Sequence, residues 1–229
     1  MALIEDIKQN MLQTNLALDY LVRPATEGSG KQKALILLHG VGSNEQDLIS
    51  LAPYMPDDFT VISPRGLFVL GEGRYAWYQV DFSTGKPHVN EGQEEQSREI
   101  IRDFIAQVKA FFGIEEVYLG GFSQGAIMSY TIGLTEPDLV AGIIAFSGRI
   151  LKEIRPLVAT TDVVSNLNIF IAHGTQDATL PVNYAREAKS FLESKGITPT
   201  YHEVEMGHQI TGEVIVDVRE WLKKPSKKE

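Results

Sequence analysis

Short, nearly continuous apolar runs that stop at glycine or another small residue recur along this sequence. "KALILLHG" is followed by "EEVYLGGF", "LVAGIIAFSG" and "LNIFIAHG", with "DFTVISPRG" as a weaker example that ends in proline and arginine. Runs of this length without polar alternation are typical of strands buried on both faces of a parallel sheet. The earlier stretch "LALDYLV" alternates instead, which predicts an antiparallel strand near a sheet edge.

Segments with helical periodicity lie between these runs. In "REIIRDFIAQVKAFFG" apolar residues recur every three or four positions, and Gly113 is placed to end the helix. Asn44 can cap a helix that begins near Glu45. The final helix carries one apolar stripe, formed by Val214, Val218, Trp221 and Leu222. Strands that alternate with helices predict the α/β class, with a mainly parallel sheet and helices on both faces.

Length and charge limit the organisation and the partners of the chain. Its 229 residues fit a single α/β domain over residues 1–229, with a basic tail at 223–229 that is expected to fray. One stretch, at about 67–92, is rich in glycine and aromatic residues, which predicts a long loop beside the substrate. A formal net charge of -9 argues against nucleic acid and anionic lipid as partners.

Missing residue types exclude several kinds of chemistry. The sequence has no cysteine, so disulfides, thiolate metal sites and a cysteine nucleophile are excluded. His39 and His173 each precede a glycine, but neither has a second ligand at metal-binding spacing, and no metal is predicted. Phosphate-loop and dinucleotide patterns are also missing, so no cofactor is predicted. With no signal-peptide pattern and no long apolar stretch, we expect a cytoplasmic protein without membrane insertion.

The stretch "GGFSQGA" places a serine between two glycines where a buried strand turns into a helix. Gly121, Ser123 and Gly125 match the Gly-x-Ser-x-Gly pattern of a nucleophile elbow, in which a sharp turn holds the serine hydroxyl above the sheet edge. The glycines leave room for the strand and the helix to approach their neighbours. A serine that merely caps the helix is the alternative interpretation.

A nucleophilic serine needs a base and an acid that orients the base. Asp177 follows the strand "LNIFIA", and His208 follows "YHEVEMG", so both are expected at carboxyl ends of strands. The chain order Ser123, Asp177, His208 is the order of an α/β-hydrolase triad. Asp162 and Asp217 do not project from strand ends. The alternatives are a turn role for Asp177 and an unengaged loop histidine at position 208.

An oxyanion hole requires two N–H donors aimed at the developing negative charge. Gln124, the residue after the serine, would supply one donor. The loop "HGVGSN" would supply the second from Val41, since its glycines permit a close approach of the backbone. The same glycines are equally compatible with a tight connection between strand and helix.

Taken together, "LHGVGSNEQDL", "PRG" at 64–66, "GGFSQGA", "HGTQD" and "MGHQI" resemble the phospholipase/carboxylesterase family of α/β-hydrolases. This family includes bacterial carboxylesterases and acyl-protein thioesterases, and the resemblance extends from about residue 33 to 222. It implies a small, cofactor-independent hydrolase. The nucleophile, base, orienting acid and two main-chain donors would be Ser123, His208, Asp177, Val41 and Gln124.

The resemblance also implies a substrate site. Tyr75, Trp77 and Tyr78, in the loop after "PRG", would border the acyl group, and Leu180 in "ATLP" would form pocket wall. Ser43 stands where many thioesterase-like members have aspartate, so a carboxylesterase for small-molecule esters of short to medium acyl chain is the leading prediction. The alternatives are an acyl thioesterase or lysophospholipase, a peptidase or lactonase, and a non-catalytic binding protein on this scaffold. Homodimer formation is left open.

Overall fold

The computed structural model describes residues 11–26, 30–81 and 88–225. Its strands, in chain order, are β1 (Tyr20–Arg23), β2 (Lys33–Leu38), β3 (Phe59–Pro64), β4 (Phe68–Gly71), β5 (Arg74–Ala76), β6 (Val80–Asp81), β7 (His88–Val89), β8 (Glu116–Phe122), β9 (Gly142–Phe146), β10 (Asn168–Gly174) and β11 (Thr200–Val204). Its α-helices are α1 (Glu45–Ile49), α2 (Glu91–Phe112), α3 (Gln124–Thr135), α4 (Thr161–Val164), α5 (Asn183–Ser194) and α6 (Gly212–Leu222). Short 3₁₀ helices occur at Ala52–Tyr54, Pro137–Leu139 and Arg155–Leu157.

Seven of the described strands form the main sheet, in the order β1-β3-β2-β8-β9-β10-β11. β1 pairs with β3 in antiparallel orientation at one edge, and the other neighbours pair in parallel. The prediction of a mainly parallel sheet is therefore confirmed, and the alternating stretch near the N-terminus forms the antiparallel edge strand. A sheet of this type collects the carboxyl ends of its parallel strands along one edge, where ligands bind in open α/β folds.

Both faces of the sheet are covered, which explains why its central strands lack polar alternation. On β2, Ala34, Ile36 and Leu38 face the side that packs against α2, α3 and α5. Leu35 and Leu37 face the opposite side, which packs against α1 and α6. The predicted stripe of α6 belongs to that second cluster, in which Val214, Val218, Trp221 and Leu222 are buried.

The predicted long loop at about 67–92 is shorter and more regular in the structure. It contains an antiparallel pair β4–β5 and a second short pair β6–β7, whereas residues 82–87 lie outside the described part. Helix α2 begins at Glu91 because the Asn90 side chain accepts a hydrogen bond from the Gln93 N–H at 3.1 Å. It ends at Gly113, which has a φ of 66°, as predicted.

Some predictions fall on residues outside the described ranges. The N-terminal residues 1–10 and the end of the basic tail, 226–229, are among them. The boundaries of one domain over 1–229, the cytoplasmic location and the homodimer stay predictions. Among the described helices, none combines the length and apolar character that crossing a bilayer demands.

Candidate active site

Three side chains that are distant in sequence meet at the carboxyl edge of the sheet. Ser123 follows β8, Asp177 follows β10 and His208 follows β11. The Ser123 Oγ lies 3.0 Å from His208 Nε2, and His208 Nδ1 lies 2.7 Å from an Asp177 carboxylate oxygen. The structure thus brings together the three residues to which the sequence assigned a catalytic triad. Both distances are within the range of a hydrogen bond.

The backbone at Ser123 is strained, and close packing enforces that strain. Its φ of 54° and ψ of -114° lie outside the regions that residues other than glycine favour. A Cβ added to Gly121 would lie 2.4 Å from the Gly125 carbonyl carbon, and one added to Gly125 would lie 1.9 Å from the Leu38 carbonyl oxygen. The Ser123 side chain makes no capping hydrogen bond to α3, in contrast to the alternative that the sequence left open.

Asp177 is fixed by backbone donors and fixes the imidazole in turn. One carboxylate oxygen accepts hydrogen bonds from the N–H groups of Thr179 and Leu180, at 2.9 and 2.8 Å. Burial alone would raise the pKa of Asp177, but the hydrogen bonds from His208 and from these N–H groups outweigh it and lower the pKa. Since an ionised carboxylate only accepts, His208 carries its hydrogen on Nδ1 and presents Nε2 as the acceptor for the Ser123 hydroxyl.

A second histidine, His173, supports the loop that carries Asp177. Its Nε2 donates a hydrogen bond to the Leu180 carbonyl at 2.7 Å and lies 3.4 Å from the nearer Asp177 oxygen. Burial lowers the pKa of His173, so the ring is neutral at neutral pH. From the sequence alone His173 is a candidate metal ligand only, and no metal is predicted there. The missed signal is the four-residue spacing between His173 and Asp177 in "HGTQD".

The loop after β2 and the start of α3 each bring a main-chain N–H group to the region of Ser123. A Cβ added to Gly40 would lie 3.5 Å from the Ser123 Cβ, which puts the start of this loop against the elbow. Among the described residues no acceptor is bonded to the N–H of Val41, whereas the next residue, Gly42, donates to the Tyr75 carbonyl at 2.8 Å. Gln124 is the first residue of α3, so its N–H is not used within the helix. Among the described residues neither N–H group has an acceptor; one belongs to the residue after Ser123 and the other to the loop packed against it.

Buried hydrogen bonds at His39 fix the start of the loop after β2. The His39 ring donates through Nδ1 to the Gly40 carbonyl at 2.8 Å and accepts through Nε2 from the Gly66 N–H at 2.9 Å. The Trp77 indole donates to the His39 carbonyl at 2.9 Å. Burial lowers the pKa of His39, in keeping with the neutral ring that this bonding requires. His39 is therefore a structural support of the loop.

The "PRG" motif anchors the helix that follows the same loop. Arg65 donates two parallel hydrogen bonds to the Glu45 carboxylate, at 2.8 and 2.7 Å, and a third to Asp19 at 3.2 Å. Its guanidinium carbon lies 4.8 Å above the Tyr75 ring. Burial by itself would raise the pKa of Glu45, but the hydrogen bond and the charge of Arg65 outweigh this effect and lower the pKa. The pair is therefore ionised. The start of α1 is thereby tied to the β4–β5 pair.

The residues predicted to bind substrate differ in how far they are buried and in what they contact. Trp77 is 0% exposed, so in this conformation it has no surface to offer a substrate, and it supports the loop after β2 instead. The Gln124 side chain accepts from the Trp77 N–H at 2.8 Å and donates to the Tyr78 carbonyl at 2.7 Å. Tyr75 and Leu180 are half-buried. The Tyr75 backbone is hydrogen-bonded to the loop after β2, and the Leu180 N–H donates to the Asp177 carboxylate.

A cavity of about 660 Å³ borders the loop after β2 at Val41. Of the residues predicted to contact substrate, Tyr78 borders this cavity but is only 1% exposed, and Tyr75, Trp77 and Leu180 do not border it. Apart from Val41, which the sequence predicts as a main-chain donor, its other walls carry no signal in the sequence, because most of them lie in the stretch predicted to be an irregular loop. They are formed by Val41, Leu70, Gln79, Val80, Asp81, His88, Val89 and Asn90.

Comparisons of the sequence and of the structure with known proteins point to one family. The family model described as Phospholipase/Carboxylesterase matches residues 25–226. Esterase YpfH of Escherichia coli is 32% identical over 191 residues, which cover 78% of this chain and 77% of that protein. Acyl-protein thioesterase 1 of Kluyveromyces lactis is 27% identical over 186 residues, covering 75% of this chain and 81% of that protein.

Solved structures are similar over most of the chain. The crystal structure of esterase PE8 has a TM-score of 0.76 at 27% identity and covers 88% of this chain and 96% of its own. The Bacillus cereus carboxylesterase has a TM-score of 0.77 at 23% identity, with 90% and 94% covered, a likeness that concerns the fold alone. The predicted resemblance is confirmed: the chain belongs to the phospholipase/carboxylesterase family of α/β-hydrolases and is a hydrolase of the esterase type.

Proposed function

We propose that this protein hydrolyses small-molecule carboxylic esters of short to medium acyl chain through an acyl-enzyme intermediate on Ser123. The observation that carries the proposal is the continuous chain of hydrogen bonds from Ser123 Oγ through His208 to Asp177, with distances of 3.0 and 2.7 Å. This arrangement supplies a nucleophile, a base that accepts its proton, and a carboxylate that stabilises the charged base.

In the first half of the reaction, Ser123 Oγ bonds to the ester carbonyl carbon while His208 Nε2 takes the hydroxyl proton. The N–H groups of Val41 and Gln124 hold the carbonyl oxygen as it becomes negative. Asp177 remains ionised and stabilises the imidazolium, in keeping with its lowered pKa. As the tetrahedral intermediate collapses, the bond to the leaving oxygen breaks, and His208 protonates that oxygen to release the alcohol.

In the second half, water takes the place of the alcohol. His208 removes a proton from the water as its oxygen attacks the acyl carbon, and the same two N–H groups hold the second oxyanion. The bond to Ser123 Oγ then breaks, the proton returns to that oxygen, and the carboxylic acid leaves. The chemistry balances with ester and water as the only reactants.

The cavity beside Val41 suits an acyl chain of limited length. Its volume of about 660 Å³ lies within the usual range for small-ligand sites, and Leu70, Val80 and Val89 contribute apolar walls. A thioester is the second candidate substrate, because several relatives carry the name acyl-protein thioesterase 1. The same triad would release a thiol in place of an alcohol.

A fluorophosphonate probe is expected to label the folded wild-type protein, because such probes react with an activated serine hydroxyl. Labelling should be lost in Ser123→Ala and in heat-denatured wild type, and peptide mapping should locate the adduct on Ser123. Hydrolysis of p-nitrophenyl esters of increasing acyl length, beside acyl thioesters, then gives the preferred leaving group and chain. Folded protein that neither labels nor cleaves any ester would contradict the proposal.

Replacing Val41 by proline is expected to lower kcat by about a hundredfold or more, because it removes one oxyanion donor. The Val41 side chain is 54% exposed, so the proline ring meets little of the core. Val41→Ala keeps the N–H and serves as the matched control, with a much smaller loss expected. The measurement is kcat on a neutral p-nitrophenyl ester, with melting temperatures to establish that both variants fold. Equal rates for the two variants would remove Val41 from the oxyanion hole.

A further inference from the structure

The segment that leaves β9 starts between the nucleophile and the acid. β9 lies between β8 and β10 in the sheet. At its end, the Phe146 carbonyl accepts a hydrogen bond from the Ser123 N–H at 2.9 Å, and Ser147 donates from its N–H to the Ala172 carbonyl at 3.0 Å. Side chains that follow Phe146 therefore begin at the edge of the sheet where the triad lies.

The next two residues fix the course of the chain. Ser147 has a φ of 50°, a strained value for a residue other than glycine. Gly148 packs so closely on α3 that an added Cβ would lie 2.6 Å from the Ala126 Cβ. Arg149 is thus placed beside the elbow by a rigid stretch of backbone.

The Arg149 guanidinium lies against a tyrosine of the helix that follows the Asp177 loop. Its carbon is 5.3 Å from the ring centroid of Tyr184, in the first turn of α5, the helix after the Asp177 loop. Burial raises the pKa of Tyr78, and the positive charge of Arg149 opposes this effect. Arg149 therefore follows a residue that packs on the first turn of α3, and its side chain reaches α5, so it extends from the elbow toward the helix after the Asp177 loop.

This cation has no anionic partner in the part of the chain that the structure describes. Among the described residues, no carboxylate lies within the 4.0 Å of an ion pair with Arg149, and its Nε is buried without an acceptor. Glu153, on the same segment, also acts on Tyr78 but forms no ion pair with the guanidinium. An unpaired buried donor carries a free-energy cost, and a planar guanidinium matches a carboxylate in shape and charge. A carboxylate on a bound substrate would remove that cost.

We propose that Arg149 is a specificity-determining residue that binds a carboxylate carried by the substrate, so that the preferred substrates are esters with a free carboxylate. The inference rests on the proposed ester hydrolysis and adds the substrate class. The carboxylate can belong to the acyl part, as in half-esters of dicarboxylic acids, or to the alcohol part. The chemistry of recognition is the same in both cases.

The test compares pairs of esters that differ in one carboxylate. The acyl pair is p-nitrophenyl hemiglutarate and p-nitrophenyl valerate, and the alcohol pair is meta-butyryloxybenzoate and phenyl butyrate. We expect Arg149→Met to lower the ratio of kcat/KM, charged over neutral ester, by roughly tenfold or more in one pair, as expected for the loss of a hydrogen bond to a charged group. The pair that responds identifies which part of the substrate carries the carboxylate. Unchanged ratios in both pairs would overturn the proposal.

Arg155→Met is the matched control. Arg155 lies on the same segment, its guanidinium carbon is 5.1 Å from the Phe191 ring centroid, and its Nε is also buried without an acceptor. It lines a separate groove with Asn183 and Ser190. We expect this variant to leave both ratios unchanged. An equal fall in Arg155→Met would mean that general loss of positive charge is responsible, and would overturn the specific role of Arg149.

A binding measurement separates failure of this inference from failure of the proposed function. Monomethyl glutarate is titrated calorimetrically into Ser123→Ala, which cannot turn it over, and into the double variant with Arg149→Met. We expect roughly tenfold or more weaker binding to the double variant. Equal binding overturns the carboxylate site even if esters are hydrolysed. Loss of binding supports it even if the reaction proves to be of another type.

Discussion

Replacing His208 by alanine is expected to reduce kcat for ester hydrolysis by about 10⁶, and Ser123→Ala by a similar factor, because the two side chains act as one unit. Without the imidazole, the hydroxyl has no acceptor for its proton, and without the hydroxyl, no acyl-enzyme forms. The double variant should be no slower than either single variant. Asp177→Asn should cost about 10⁴, because the amide leaves His208 without the carboxylate that fixes its tautomer.

The chain offers a matched control for the histidine. His202, on β11, lies 3.2 Å from the carboxylate of Asp217, so it forms a second histidine–aspartate pair, and it stacks on the ring of Phe170. His202→Ala should change kcat by no more than about twofold, as for a surface change far from the chemistry. Steady-state rates on a p-nitrophenyl ester, with purified protein free of host esterases, give the comparison. Additive losses in the double variant, or an equal loss in His202→Ala, would contradict the assignment.

The meeting of Ser123, Asp177 and His208 at one sheet edge could be predicted because each residue has a local signal in the sequence. Ser123 lies in a five-residue pattern, and Asp177 and His208 lie in the loops that follow stretches with the pattern of strands. Parallel strands end at one edge, so three such positions are expected to be neighbours even without a known strand order. The proximity of these three residues, which are distant in sequence, thus follows from local strand patterns.

The start of α2 could not be found from apolar periodicity. Its first two turns, from Glu91 to Arg98, are largely polar, and the first fully buried apolar residue is Ile101. Asn90 was the local sign of a helix start, but it lies in a glycine-rich stretch that favoured a loop. The β4–β5 and β6–β7 pairs contain two to four residues per strand, too few for alternation to be visible.

The roles of Trp77 and His173 depend on contacts that are remote in sequence. The Trp77 N–H donates to the Gln124 side chain, and the Trp77 carbonyl accepts from the Ser97 hydroxyl. These hydrogen bonds keep the residue in the core. An aromatic residue in a glycine-rich loop looks like a substrate contact when these partners are unknown. His173 likewise gains its role from the Leu180 carbonyl, whose position depends on how the Asp177 loop folds.

Gly125→Ala is expected to destabilise the protein by at least about 3 kcal/mol, because the added methyl group has no space. The Cβ would lie 1.9 Å from the Leu38 carbonyl oxygen and 2.8 Å from that of His39. Both obstacles are backbone atoms at the end of β2, a strand held between β3 and β8, so neither can rotate away as a side chain would. Relief requires the first turn of α3 to move off the sheet, and this movement would also displace Ser123 and the Gln124 N–H.

Gly212→Ala is the appropriate control, since an added Cβ there meets nothing within 4 Å and the position begins α6. Its stability should change by no more than about 0.5 kcal/mol. Chemical denaturation gives the free energies of unfolding of both variants, and kcat on a neutral ester shows whether residual folded Gly125→Ala retains the elbow. A stable and active Gly125→Ala would mean that α3 can separate from β2 without loss of the site. The strained serine would then owe its position to the hydrogen bond with Phe146 rather than to close packing of the glycines.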